Sequence, residues 1–277
     1  MTKRIGFLGP SGTFTEEAAL LYDGDAQLIP FSSISAVGAA VVTGMVEEGV
    51  VAIENSIGGS VTDTLDLLVH GPDLFIKQEI VLPIMHCLLV KPGTQADAIK
   101  VIYSHPQALG QCRPFLEQCF PKAQLEASLS TAAAVEEMKK GDGSIASVAT
   151  QRAAELYGAE ILARDIQEVT SNETRFVVLA SADHPATGDD RTSLCFSFDD
   201  DRPGILVDVL SEFAERNINL AKVESRPSKE SLGQYIFLLD IDGHREESPV
   251  KEALEKVRTT TVRLKIFGSY PRFRARG

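Results

Sequence analysis

The sequence predicts an α/β protein of two domains, and three observations carry that prediction. The 277 residues exceed one average domain. Up to a short polar segment, brief apolar runs alternate with amphipathic stretches, the order expected of an α/β fold with a largely parallel sheet. Beyond that segment the order changes to βαββαβ over about 80 residues, the pattern of a ferredoxin-like split βαβ sandwich.

The alternation begins with Arg4 to Leu8 and the helical stretch Glu16 to Tyr22. It continues with Val50 to Ile53 and then Val61 to Val69, and with Val101 to Tyr103 and then Ala108 to Gln118. The apolar run Phe75 to Val90 contains Pro83 and charges at Lys77 and Glu79, so it reads as two extended pieces that carry the chain between two lobes. Ser181 to Asp190, reading SADHPATGDD, is the expected linker between domains over 1–180 and 191–277. After it the pattern predicts a strand over Thr192 to Phe198 and a helix from near Pro203, with Ile205, Leu206, Val209, Leu210 and Phe213 at helical spacing. Strands at Asn219 to Glu224 and Gln234 to Ile241, a helix at Val250 to Val257 and a strand at Thr261 to Phe267 complete it.

Composition narrows the function. With 44% hydrophobic and 24% charged residues the chain is an ordinary globular protein. A formal charge of −12 excludes nucleic acid, whose binding depends on cations that neutralise phosphates. A small anion remains possible where helix N-termini and an arginine make a pocket locally positive. There is no apolar run of roughly 18 residues, and charges at Lys3 and Arg4 come early, so a cytoplasmic protein away from membranes is expected. Cys87, Cys112, Cys119 and Cys195 lack metal-site spacing and read as reduced thiols; no metal or cofactor is expected.

Four strand-to-helix turns carry the polar groups. Gly9 to Glu16 ends in Thr13 and Glu16 at capping-box spacing. Its Gly6, Gly9 and Gly12 resemble a dinucleotide fingerprint, but Phe7 and Leu8 stand where the second glycine is required. Glu54 to Val61 is rich in amide and hydroxyl groups. Ser104, His105, Pro106 and Gln107 fit a cap with proline at the first helical position. Ser130 and Thr131 precede the helix Ala132 to Met138. Four such ends in one α/β domain suit a cleft at the strand termini, although each is equally readable as a simple cap. The strand headed by Asn172, Glu173, Thr174, Arg175 and Phe176 sets a hydroxyl beside a guanidinium.

The blocks GPSGTFTEEAA (Gly9 to Ala19), IENSIGGSV (Ile53 to Val61), SHPQALGQC (Ser104 to Cys112), SVATQRAAELYG (Ser147 to Gly158) and NETRF (Asn172 to Phe176) together resemble prephenate dehydratase. GILV (Gly204 to Val207) and ESRP (Glu224 to Pro227) resemble the phenylalanine-binding motifs of ACT domains. Ile53 before ENS and Ile205 within GILV depart from the commoner residues without removing a polar group. The resemblance implies a catalytic domain of two lobes like a periplasmic binding protein, one of about 1–78 with 165–180 and the other of about 79–164, with the site between them.

The same resemblance implies decarboxylating dehydration of prephenate, with Thr174 as donor to the leaving hydroxyl and Arg175 as clamp for a carboxylate. Ser11, Gly12, Thr13, Asn55, Ser56, Ser104, His105, Gln107 and Phe176 are the expected substrate-binding residues. Gly204, Ile205, Leu206, Val207, Asn219, Leu220, Glu224, Ser225 and Arg226 are expected to bind L-phenylalanine as an allosteric ligand. A homodimer or homotetramer follows from the pairing of ACT domains. Arogenate dehydration and a non-catalytic amino-acid sensor are the alternatives, and the sequence is not expected to carry a fused chorismate mutase.

Overall fold

Apolar runs too short for helices, bounded by glycine, proline and small polar residues, become strands, and stretches headed by Ser, Thr or His caps become helices. A computed structural model describes residues 2–199, 202–229 and 233–274. Its first lobe runs β1 (Arg4–Leu8), α1 (Phe14–Tyr22), β2 (Gln27–Phe31), α2 (Ile34–Val42), β3 (Glu48–Asn55), β4 (Gly59–Ser60), α3 (Thr62–His70) and β5 (Phe75–Pro83). The second runs β6 (Cys87–Val90), β7 (Val101–Ser104), α4 (Pro106–Cys119), β8 (Gln124–Ala127), α5 (Thr131–Lys140), β9 (Ile145–Ala149), α6 (Gln151–Tyr157) and β10 (Glu160–Ala163). The chain then returns as β11 (Glu173–Ala180). The last unit is β12 (Asp190–Ser197), α7 (Ile205–Ala214), β13 (Leu220–Pro227), β14 (Tyr235–Asp242), α8 (Ser248–Thr260) and β15 (Arg263–Pro271).

The strands form three sheets, ordered β2-β1-β3-β11-β5 with β4 beside β3, β10-β6-β9-β7-β8, and β13-β14-β12-β15. The expected parallel pairing holds for β1 with β2 and β3, and for β7 with β8 and β9. It fails at β11, which runs antiparallel to both β3 and β5 because it re-enters the first sheet from the second lobe, and at β6, which runs antiparallel to β9 and β10. The long run Phe75 to Val90 divides between two sheets, and the first sheet keeps the chain to Pro83 rather than ending near residue 78. In the third sheet all pairings are antiparallel.

One face of that third sheet packs on α7 and α8 through Leu194, Phe196, Leu239 and Ile241. The opposite face joins the core of the first lobe, where Cys195, Ile236, Leu238, Phe267 and Tyr270 cluster with Val177, Leu179 and Ile76. The polar linker is pinned rather than free. Asp183 accepts from Ser269 N at 2.9 Å and pairs with Arg245, and Asp190 is buried in β12.

This contact brings two backbones together. Gly268 has φ +147°, and a Cβ there would lie 2.3 Å from the Ile76 carbonyl oxygen. Gly268→Ala should therefore lose about 2 kcal/mol or more of stability, through strain and overpacking. Urea unfolding measures this, and a midpoint equal to the parent's would show that the two strands are not in such close contact.

Candidate active site

All four of the strand-to-helix turns named above meet at one cavity. It has a volume of about 370 Å³ and lies between the two lobes. Thr13 caps α1, His105 caps α4 and Ser130 caps α5, each side chain accepting a backbone N–H of the first turn. Val61 precedes α3 with no side-chain cap. All four of these cap positions line the cavity, so the positive ends of four helix dipoles converge on it. Its lining residues include no Asp, Glu, Lys or Arg, and the histidines among them are His86 and His105. Four helix ends with neutral donors and no cation suit a small anion bound by hydrogen bonds.

Of the expected residues, Thr13, Asn55, His105, Gln107, Thr174 and Phe176 line the cavity. Others do not. The N–H of Gly12 is taken by the Glu16 carboxylate and its carbonyl by Thr150 Oγ1, while the Ser11 carbonyl accepts from Tyr157, so this turn anchors α1 against the second lobe. Ser56 Oγ receives Glu173 N at 3.0 Å and donates to Asn172, tying two strands together. Ser104 is fully buried and donates to the Val148 carbonyl at 2.6 Å.

Arg175 requires the main correction. Alternation along β11 puts Thr174 and Phe176 on the cavity side and Arg175 on the opposite face. There its guanidinium contacts Asp240 at 2.7 Å, Glu54 at 2.9 Å and Glu79 at 3.3 Å. Burial opposes its charge, yet Asp240, Tyr270 and Glu79 hold its pKa above the ordinary arginine value. Burial would likewise raise the Asp240 carboxyl, but Arg175 and the Ser193 hydroxyl keep it below its usual range. Three carboxylates occupy this guanidinium, so it is no clamp for a ligand in the cavity.

The orientation of the Thr174 hydroxyl follows from fixed donors. Backbone N–H groups of Ile57 and Gly58 donate to Asn55 Oδ1, which places Asn55 Nδ2 on the other side. That nitrogen lies 2.8 Å from both Thr174 Oγ1 and Asn172 Oδ1. Thr174 thus accepts from Asn55, and its own proton is free to be donated into the cavity.

Phe14, Thr15, Ile84, His86, Gln111 and Leu129 also line the cavity without having been expected. Gln111 was the most legible of them, since it stands one helical turn beyond Gln107 on the same face of α4. His86 sits edge-on to Phe14, and its Nε2 is 3.0 Å from Gln111 Oε1. In the C-terminal unit Gly204, with φ +88°, opens α7, Leu206 packs inward and Val207 is 64% exposed. Leu220 packs into the same core, and Asn219 reaches Asp242. The residues of ESRP divide between two faces of β13. Glu224 accepts from Ser60 and Arg226 pairs with Asp66, both in the first lobe, whereas Ser225 lies opposite Phe237 on the helix side. Within one copy of the chain, Glu224 and Arg226 therefore face away from the start of α7.

Fold and site define a two-lobed α/β protein with a cleft of converging helix N-termini and an appended ferredoxin-like module. The family model described as prephenate dehydratase matches residues 5–184, and that of the ACT domain matches 200–259. A prephenate dehydratase of Corynebacterium glutamicum is 38% identical over 98% of this chain and 88% of its own. The structure of prephenate dehydratase in complex with L-Phe from Arthrobacter aurescens aligns with a TM-score of 0.90 at 35% identity, covering 97% of this chain and 90% of that one. The structure of GqqA, described as a novel type of quorum quenching acylase, aligns at 0.88 with 31% identity over 98% of both chains. This chain belongs to the prephenate dehydratase family and carries a C-terminal ACT domain.

Burial holds the His86 imidazole below its ordinary pKa, although the Gln111 contact raises it. As pH falls through about 6.5 the unfolded chain takes up this proton before the folded one, so His86 costs stability on the acid side. In a series of Tm values from about pH 7 to pH 5, His86→Gln should lose less stability than the parent protein. Parallel curves would place the imidazole in an environment no different from water.

Proposed function

We propose that this chain converts prephenate to phenylpyruvate by decarboxylating dehydration, and that L-phenylalanine regulates it at the C-terminal domain. The observation that carries the chemistry is the Asn55 to Thr174 hydrogen bond at 2.8 Å, which leaves the Thr174 proton available on the cavity side. Prephenate bears two carboxylates and a ring hydroxyl. As carbon dioxide leaves, the electrons of its C–C bond enter the ring, the C–O bond breaks, and aromatisation drives both. Thr174 donates a hydrogen bond to the departing oxygen that strengthens as negative charge grows there. The helix ends of α1, α3, α4 and α5, with Thr13 and Gln107, hold the carboxylates in the place first given to Arg175.

The cavity favours this reading over an acylase activity of the kind named for the GqqA neighbour, were it to use Thr174 as nucleophile. A hydroxyl nucleophile needs a base as hydrogen-bond partner. Asn55 instead presents an N–H donor to Thr174.

The catalytic unit spans about residues 1–180 and the regulatory unit 191–277. Regulation has a direct route between them. Ser60, in the cavity wall, donates to Glu224 of β13 at 2.5 Å and receives Lys222 at 2.6 Å. Arg175, the neighbour of Thr174, is held by Asp240 of β14. A ligand that moves β13 and β14 shifts both supports of the cavity. Exposed Val207, Val223 and Tyr235 supply apolar area for pairing between copies, which supports a homodimer or homotetramer. The free cysteines Cys87, Cys112, Cys119 and Cys195 support a reducing, cytoplasmic setting.

Thr174→Val should lower turnover of prephenate about 10²- to 10³-fold with affinity within a few fold. Phenylpyruvate absorbance measures it, and an unchanged kcat would remove Thr174 from the chemistry. Arogenate supplied beside prephenate, with its product phenylalanine measured in place of phenylpyruvate, settles the substrate. Asp240→Asn leaves Glu54 and Glu79 on Arg175, so basal activity should persist within a few fold. The phenylalanine concentration giving half-inhibition should rise at least about five-fold. Unaltered inhibition in that variant would exclude the Arg175 route.

A further inference from the structure

Asn172 is 1% exposed, stands two residues before Thr174, and has no place in the chemistry above. Its Oδ1 accepts from Asn55 Nδ2 at 2.8 Å and from the Ser56 hydroxyl at 3.3 Å. Since Asn55 is fixed by two backbone N–H groups, the Asn172 atom facing it must be the oxygen. Asn172 Nδ2 is thereby turned to Gln111, whose facing atom, 3.1 Å away, must be Oε1. That same oxygen lies 3.0 Å from His86 Nε2. An oxygen accepts only, so His86 Nε2 carries the proton and Nδ1 is bare. Nδ1 is buried with no hydrogen-bond partner among the described residues, a state an unshared N–H would tolerate poorly. One amide thus sets the polarity of a relay across the two lobes, from Asn55 on β3 through Asn172 and Gln111 on α4 to His86.

The relay has an outcome at the cavity. With Gln111 Oε1 engaged twice, the Nε2 group of this cavity-lining residue makes no hydrogen bond among the described residues and keeps both N–H groups for a ligand. We propose that Asn172 is a positioning residue that holds the Gln111 amide with its oxygen inward and its N–H groups toward an anionic oxygen of the substrate. This rests on the reading of the cavity as the site for an anionic substrate.

Asn172→Asp keeps the shape and replaces the donor with an acceptor facing Gln111 Oε1. Two acceptors repel, so Gln111 reverses: its oxygen turns to the substrate anion, and its Nε2 turns to His86, moving the imidazole proton to Nδ1. Asn172→Leu removes the donor without adding charge and leaves Gln111 unconstrained. The test combines steady-state kinetics on prephenate with ¹⁵N NMR of histidine-labelled protein near neutral pH, the His86 signals being assigned by their loss in His86→Gln. The expected result is the Nε2–H tautomer in the parent protein and Nδ1–H in Asn172→Asp. KM should rise about ten-fold or more in Asn172→Asp and by a smaller factor in Asn172→Leu, with kcat moving less than KM in both. An Nδ1–H or doubly protonated His86 in the parent protein would overturn the relay without any variant having to fold. An unswitched tautomer in Asn172→Asp, or a KM within two-fold of the parent's in both variants, would overturn the positioning role. Thr174→Val run alongside separates the two ideas, since it tests the elimination reading while leaving the relay intact.

Discussion

Successive side chains of a β-strand point to opposite faces, and β11 places a hydroxyl and a guanidinium in two different settings on those faces. Thr174 and Phe176 face the cavity, whereas Arg175 faces Glu54, Glu79 and Asp240 beneath the C-terminal sheet. A guanidinium with three carboxylates around it and Arg191 nearby on Glu79 is a buried network, which keeps two carboxylates on Arg175 when one is lost but would leave buried carboxylates uncompensated, at a cost of about 3–5 kcal/mol, if the guanidinium itself were removed. Such a network fixes the strand and, with it, the hydroxyl one residue away. It also makes the C-terminal unit part of the scaffold of the cleft, because Asp240 and the shared core beneath β15 are supplied by that unit.

The cavity itself is built from neutral groups. A dianion held by helix termini and amides needs no cation, and the desolvation of arginine or lysine is avoided. The polarity of those amides then decides whether the site attracts or repels an anion, since an amide presents either an oxygen or two N–H groups. Two backbone N–H groups at Ile57 and Gly58 set the first amide, and the rest follow by contact. This accounts for a turn, Glu54 to Val61, that lines the cleft through Asn55 and Gly58 to Val61 and also orients the amides beside it.

Much of the fold was legible because its signals are local. Thr13, His105 and Ser130 cap the helices that the spacing predicts, and the order βαββαβ after the linker is reproduced, with strand ends displaced by a few residues. The antiparallel entry of β11 was not legible, since the direction of a returning strand depends on where its partners lie rather than on its own residues. The error at Arg175 has the same origin. Adjacency of Thr174 and Arg175 suggested a shared pocket, but period-two alternation argues against it, and Glu79 and Asp240, the partners that hold the guanidinium elsewhere, are 96 and 65 residues distant. Gln111 and Asn172, 61 residues apart, likewise meet only through the packing of the lobes. The ESRP motif was read as one unit although alternation sends Glu224 and Arg226 to one face and Ser225 to the other.

The central claim is that β11 offers a hydroxyl, and not a guanidinium, to the substrate. A crystal structure with an unreactive prephenate analogue in the cleft tests it most directly. The account predicts Thr174 Oγ within about 2.6–3.2 Å of the analogue's ring oxygen, with Arg175 still paired to Asp240. An Arg175 guanidinium released from Asp240 and forked onto a carboxylate of the analogue would contradict it.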